Sequence, residues 1–341
     1  MLRRSCHVLP LSLALAALAA APAHAQELRE TLMWLQSALV PYGPNAGAIS
    51  TLSWIMFAAA AAIFLLVMAL AAVAIWASPA RRRWMAHRGF IIALGIGFPV
   101  VALSALLVYG LVLSRTLVAG PPPLQRVKVI GEQWWWRVHY VDAAGETRLV
   151  SANEIRIPAG QPVEFILTTE DVIHSFWVPS LAGKLDMIPG RTNSYRFAAD
   201  RPGIYRGQCA EYCGGQHALM AFYVVAMAPE DFAAWQTRAL AEAHEPTDPV
   251  RVEGRRLFLS NGCGACHTIR GTEAAGTLGP DLTHVGGRLS LAAGTFTLNV
   301  GTLAGWIASA QHLKPENGMP SFDHLAGEEL RAIAAYLESL K

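Results

Sequence analysis

The chain has 341 residues, enough for two or three domains. Apolar residues make up 53% and charged residues 15%, a balance that leans towards membrane insertion. Lys and Arg nearly match Asp and Glu, for a formal net charge of +2, so no basic excess points to nucleic acid as a partner.

Residues 1–25 carry the marks of a secretory signal peptide. Arg3 and Arg4 form the charged start, Leu9 to Ala21 the apolar middle, and Ala23-His24-Ala25 a small-x-small cleavage site that would make Gln26 the mature N-terminus. An uncleaved anchor is the alternative, but the apolar middle is short for a bilayer. Residues 26–118 then hold two long apolar runs, at about 49–77 and about 90–113. Each exceeds the roughly 20 residues needed to cross a hydrocarbon core, and the competing reading is two buried core helices. Pro99 and three glycines interrupt the second run, which membrane helices tolerate. Between the runs lies Arg81-Arg82-Arg83-Trp84-Met85-Ala86-His87-Arg88, a basic loop that the positive-inside rule keeps in the cytoplasm. The expected topology is therefore two-pass in a bacterial inner membrane, with the N-terminus and everything after Leu113 on the periplasmic side.

Gly120-Pro121-Pro122-Pro123 is a stiff way out of the membrane, and residues 119–228 form the next unit. Short alternating runs such as Val127-Lys128-Val129-Ile130 and Glu154-Ile155-Arg156-Ile157 predict a sandwich or barrel. Residues 229–249 are helix-prone, then acidic and proline-bearing, and are expected to form a linker. Asp248-Pro249 has the form of an N-cap and first helical residue. Residues 250–341 open with that helix and close with an amphipathic one, in which Leu330, Ile333, Leu337 and Leu340 share a face.

Chemistry concentrates in Cys209-Ala210-Glu211-Tyr212-Cys213-Gly214-Gly215-Gln216-His217-Ala218-Leu219-Met220. Two thiolates, an imidazole and a thioether make a soft donor set that selects copper, zinc or iron–sulfur over hard cations. A single blue-copper ion needs one Cys, so the extra Cys suggests two thiolates bridging two ions, each ion then wanting an imidazole and a weak ligand. The missing imidazole is best supplied by His174, upstream on a strand-to-loop turn. A zinc site is the competing reading, weakened by the thioether.

Cys263-Gly264-Ala265-Cys266-His267 is the attachment pattern of a c-type haem, with Cys263 and Cys266 as thioether links and His267 as the proximal ligand. A redox dithiol followed by a chance His is the alternative. The sixth ligand is expected at Met319, about fifty residues on and the only Met after Met227; His284, His312 and His324 are rivals. Cys6 would leave with the signal peptide, and two Cys for metal and two for haem leave none for a disulfide, which exported chains otherwise use freely.

With these residues in view, the region from about Ile49 to Ala228 resembles subunit II of haem–copper cytochrome c oxidase, and the region from about Pro249 to Lys341 resembles a class I cytochrome c. The resemblance implies a multi-domain chain: a two-helix transmembrane hairpin, an all-β cupredoxin-like Greek-key barrel and an all-α cytochrome c domain. It implies a binuclear copper centre, CuA, with Cys209 and Cys213 bridging, His174 and His217 terminal, Met220 axial and the Glu211 backbone carbonyl as the other axial ligand. It further implies that the Glu211 carboxylate reaches towards magnesium or manganese at the contact with subunit I. Asp186, Ile188-Pro189-Gly190 and Arg191 match a family segment beside the copper. Within Gly131-Glu132-Gln133-Trp134-Trp135-Trp136-Arg137, Trp134 matches the surface point where electrons from cytochrome c come in. Pro280 matches the residue whose carbonyl accepts the proximal His N–H.

The function implied is the electron-input subunit of a terminal oxidase that passes electrons from haem c through CuA to an oxygen-reducing subunit I, coupled to proton translocation. The implied partners are subunit I, subunit III, the membrane, and cytochrome c or the bc complex as donor. Quinol oxidases have lost the copper ligands kept here. One departure stands out: the second apolar run holds no Asp or Glu, where the family places a carboxylate opening a proton path, and His87 is the nearest substitute. The other readings are a free-standing membrane-anchored carrier serving another reductase, a relative of nitrous-oxide reductase, which would need a His-rich domain, and a copper-delivery protein, for which covalent haem makes little sense. Residues 125–228 hold ten acidic and ten basic side chains and residues 250–341 eight of each. Such balanced domains, joined by a leash that supplies effective concentration, need little charge steering, and the haem domain is expected to dock over Trp134.

Overall fold

The structure is a computed structural model that describes residues 37–119 and 122–341. The expected signal peptide and its cleavage site lie outside the described residues. Helix α1 (Pro44–Trp76) opens with Pro at its first position, where a missing N–H costs nothing. It starts ahead of the apolar run because Asn45 and Ala46 are buried against the β domain rather than exposed to solvent. The second span begins as α2 (Arg88–Ile92), passes through a π-helical turn at Ala93–Gly97 and continues as α3 (Phe98–Ala119). Pro99 accounts for the turn: it has no N–H to give and crowds the preceding carbonyls, so the ladder widens ahead of it. The two spans have mean hydropathies of 2.8 and 2.6, with none of either apolar window buried, so they are not core helices of this fold.

The β domain is a sandwich of two five-stranded sheets. One has the order β3-β2-β1-β5-β8 and the other β4-β10-β9-β6-β7. The strands are β1 (Gln125–Glu132), β2 (Trp135–Val141), β3 (Thr147–Ala152), β4 (Glu154–Pro158), β5 (Val163–Thr169), β6 (His174–Trp177), β7 (Leu185–Met187), β8 (Asn193–Phe197), β9 (Gly203–Cys209) and β10 (Ala221–Met227). The pairs β1–β5 and β4–β10 are parallel, which requires the long crossovers of a cupredoxin-type fold. Alternation sets the faces: Trp136, Val138 and Tyr140 turn inward while Arg137 and His139 turn outward. The core between the sheets is aromatic, with Phe165 stacked on Phe197 at 4.3 Å and Phe176 on Phe222 at 4.6 Å.

The stretch expected to be a linker begins as a packed helix, α4 (Pro229–Leu240), whose Phe232 and Ala239 join the core of the β domain. The residues after it are pinned by Arg270, which donates to the carbonyls of Ala239 and Ala241, and by the Ala243 N–H donated to Arg270 O. The final domain then packs α5 (Pro249–Ser260) across α7 (Gly327–Ser339), with α6 (Val300–Leu313) alongside. Asp248 caps α5 through Val250 N and Arg251 N, as its position suggested. Gly254 permits the crossing, since a Cβ there would sit 2.0 Å from Ala332 O.

Candidate metal and haem centres

Strands β6, β9 and β10 converge on one end of the sandwich. Cys209 closes β9 opposite Phe176 of β6, and His174 is the first residue of β6. The base of the loop is tied twice, by Cys209 N–H to Met220 O at 2.9 Å and by Ala210 N–H to Ser175 O at 3.0 Å. The loop therefore leaves and re-enters the sheets at a fixed width, and its donors fold inward. Gly214 takes φ +114°, and a Cβ there would lie 2.9 Å from Gln133 Nε2 and 3.0 Å from the Trp134 ring, so only glycine fits this turn.

The short contacts run imidazole–sulfur–sulfur–imidazole. Cys209 Sγ lies 3.8 Å from His174 Nδ1 and 3.7 Å from Cys213 Sγ, which lies 3.5 Å from His217 Nδ1. Each sulfur also has one weak donor: the Glu211 carbonyl 3.2 Å from Cys209 Sγ, and Met220 Sδ 3.8 Å from Cys213 Sγ. The sulfurs are nearly twice too far apart for a disulfide. The two thiols are pushed in opposite directions. The Cys213 hydrogen bond, followed by that of His174, pulls the Cys209 thiol far below its ordinary pKa, against burial. Cys213 is pushed up by the same hydrogen bond and by burial. Burial opposes the charged form of His174, yet hydrogen bonds to Cys209 and Asp171 outweigh it and raise its pKa.

The surrounding groups hold these donors in place. His174 is fully buried, and its Nε2 meets Asp171 Oδ1 at 2.8 Å, which directs Nδ1 at the sulfurs. The Cys213 carbonyl accepts from Trp134 Nε1 at 2.9 Å and Gln133 Nε2 at 2.8 Å. Trp134 is thus an internal brace, 5% exposed, in the turn before β2 rather than at an open surface. Its main-chain carbonyl accepts from Lys314 of the last domain at 2.7 Å.

The Glu211 carboxylate meets the Lys184 ammonium at 3.1 Å, and the same ammonium reaches Asp186 at 3.1 Å. Asp186 also accepts from Ser175 Oγ at 2.7 Å, the strongest of the contacts that lower its pKa. All three charges are about half exposed, so each pair contributes only about 0–1 kcal/mol.

In the last domain, Cys263 opens a short 3₁₀ turn and Cys266 ends it. His267 Nδ1 meets Pro280 O at 2.8 Å, which leaves Nε2 as the ring atom free to bind iron. Met319 is half-buried against the helical core, on a loop that Gln311 Nε2 secures by donating to Asn317 O and Met319 O. Of its rivals, His312 and His324 are exposed, and both ring nitrogens of His284 face carbonyls, those of Ala241 and Lys341. Four further residues shape these centres: Asp171 and Gln133 beside the sulfur cluster, and Arg137 and Lys314 between the domains; Gln133 and Arg137 lie in the tryptophan-rich segment, where the resemblance gives a role to Trp134 alone. A carboxylate three residues before His174 was the one signal available for Asp171.

Fold and donor sets define a class: a cupredoxin-type domain with a sulfur–imidazole cluster, joined to a helical domain of the c-type cytochrome kind, on an apolar two-helix anchor. Residues 143–227 match the family model described as cytochrome c oxidase subunit II, periplasmic domain, and residues 252–341 match that of cytochrome c. The chain is 40% identical over 215 residues to cytochrome c oxidase subunit 2 of Alkalihalophilus pseudofirmus, covering 63% of this chain and 61% of the relative. It is 33% identical over 227 residues to cytochrome c oxidase subunit 2 of Bacillus sp. (strain PS3), covering 63% and 62%. The matches therefore span about six tenths of the length of these relatives. Among solved structures, the periplasmic domain of subunit II of cytochrome oxidase (CoxB) of Bradyrhizobium japonicum is 30% identical, with TM-score 0.33, covering 35% of this chain and 95% of that one. Residues 143–227 are thus similar to the subunit II periplasmic domain and residues 252–341 to cytochrome c, in one polypeptide.

Proposed function

We propose that this chain is the electron-input subunit of a proton-translocating haem–copper oxidase, taking electrons from cytochrome c or the bc complex and handing them to subunit I. The observation that carries this reading is the symmetry of the sulfur cluster, in which each thiol has its own imidazole and its own weak donor. A single zinc ion has no use for a thioether and a carbonyl on opposite flanks. The donor set fits a copper pair, and Cys263, Cys266, His267 and Met319 fit a haem. When bound, these groups supply one-electron redox chemistry at potentials set by their ligands.

The chain's own residues do the rest. Cys209 and Cys213 would hold the pair as thiolates, His174 and His217 as imidazoles, and Met220 and the Glu211 carbonyl as weak ligands. Asp171 fixes the His174 tautomer, and Pro280 does the same for His267. Trp134 joins the copper loop to the face on which the haem domain sits. This supports its proposed part in electron passage, as an internal group and not a surface one. Two-pass topology, with both domains periplasmic, is supported by the seating of α1: Tyr42 N–H bonds Ser180 O at 2.6 Å and Ala46 N–H bonds Leu181 O at 3.1 Å. The Glu211 carboxylate keeps its proposed place as the group that would reach magnesium or manganese at the contact with subunit I, with Lys184 as its partner within this chain.

Metal and haem content of the purified full-length chain is the direct test. Two coppers and one covalent haem are expected, and Cys213→Ser should lose the copper while keeping the haem. One copper per chain, or zinc, would overturn the binuclear assignment. Co-purification with a haem-bearing, multi-helix partner separates an oxidase subunit from a free-standing carrier.

A further inference from the structure

Lys314 ends α6 in the haem domain and is 3% exposed. Its Nζ lies 2.7 Å from Trp134 O, 2.9 Å from Leu219 O and 3.4 Å from Ala292 O. An ammonium has three N–H bonds, and here three carbonyl oxygens from three separate segments receive them. Two of these segments belong to the β domain, and Leu219 immediately precedes Met220. Burial of an ammonium is costly, so a lysine in this place needs its partners. Met319 follows five residues later.

A second contact of the same chemistry runs the other way. Arg137, on β2, is oriented by Glu132, with Nε 2.6 Å from Oε1. Its guanidinium donates to Thr277 O at 2.9 Å and Leu278 O at 3.3 Å in the haem domain. That loop continues into Pro280, the partner of His267. Ala221 N–H also bonds Ala293 O at 2.9 Å, tying the first residue of β10 to the haem domain. Two more contacts cross between the domains: Arg156 donates to Gly287 O at 2.8 Å and Leu289 N–H to Glu154 Oε2 at 2.8 Å.

We infer that the haem domain is held in one docked pose on the copper loop by two reciprocal cation-to-carbonyl clamps, Lys314 and Arg137. They are positioning residues for electron passage between the two centres. The inference rests on the function proposed above, and it deepens it in two ways. The Trp134 face is occupied by the chain's own haem domain, so a soluble donor protein must deliver its electrons to the haem domain. The two centres also meet without a diffusional search, unlike domains joined only by a leash. Because the acceptors are neutral carbonyls at a buried contact, salt has little to screen.

Hydrogen exchange on the full-length chain in detergent reads the docking whether or not metal and haem are loaded. Lys314→Met and Arg137→Gln should each raise exchange about tenfold or more in residues 217–221 and 290–294, as local opening becomes easier. Protection across α7 and β5 should stay unchanged, which shows that both domains remain folded. Arg137 lies on the β domain, so its variant leaves the interior of the haem domain intact. On the loaded chain, haem-to-copper transfer after flash reduction should be independent of solvent viscosity in the wild type and become viscosity-dependent in both variants. A merely structural role would not produce that change. Unchanged exchange in both segments in both variants, or a wild-type rate that falls with viscosity, would overturn the docked pose. Loss of copper with intact protection of residues 217–221 would instead count against the copper assignment alone.

Discussion

The His174 imidazole owes its aim to a residue that no metal-binding motif contains. Asp171 Oδ1 receives His174 Nε2 at 2.8 Å and Val172 N–H at 2.6 Å, while Oδ2 receives Gln133 N–H at 2.6 Å. Only a carboxylate can accept from all of these. In Asp171→Asn, one oxygen becomes an NH2 group that must face a donor. Copper affinity is expected to fall about 10–100-fold, the usual cost of losing such a supporting partner, with the fold retained. Competition against a copper chelator of known affinity measures it, and an unchanged affinity would mean that packing alone orients the ring. The donors themselves were legible because Cys209, Cys213, His217 and Met220 crowd into one loop, and His174 was found by what that loop lacked. Asp171 was not, since an acidic residue in a turn has many ordinary uses, and neither was Lys314, whose partners are main-chain carbonyls that leave no trace in side-chain identity.

Strand β2 carries its own consequence for pH. His139 points outward, directly across from Lys128 on β1 and on the same face as Arg137. Burial first, then those two cations, lowers its pKa from 6.5 to about 4. Thr147 Oγ1, on β3, lies 3.3 Å from the ring. Between pH 6.5 and about 4 the unfolded chain therefore binds the proton and the folded chain does not. Stability falls as pH drops through that window and levels off below it. His139→Gln should flatten this part of the thermal-unfolding profile of the β domain, and parallel wild-type and variant curves would refute the assignment. Period-two patterning made such strands visible, but it fixes only which face a residue takes, not which strand lies alongside. The parallel pairs β1–β5 and β4–β10 join residues far apart in sequence, so the two-sheet order had to come from the structure. Helix α4 showed as a helix-prone stretch, but its packing did not: it is short and only Phe232, Trp235 and Ala239 mark the face that meets the β domain.

At the scale of the molecule, the β domain fixes where both spans begin and end. Asn45 Nδ2 donates to Arg196 O at 3.1 Å, and Asp200 N–H donates to Tyr42 O at 2.8 Å, so the start of α1 is built into the domain. α3 contacts β8 of the same domain and leads within a few residues into β1. The basic turn between the spans then lies at the far end, about 1.5 Å per residue away along a 33-residue helix, which is more than the roughly 30 Å of a hydrocarbon core. The basic turn and the attached domain thus sit at opposite ends of one hairpin, which fits the two-pass orientation proposed above. In inside-out membrane vesicles, a cysteine at Trp84→Cys should react with a membrane-impermeant maleimide while one at Leu124→Cys does not, and intact spheroplasts should give the reverse. Reaction of both from one side would break the two-pass arrangement, because α1 cannot leave its seat on the β domain without losing the Tyr42, Ala46 and Asn45 bonds together.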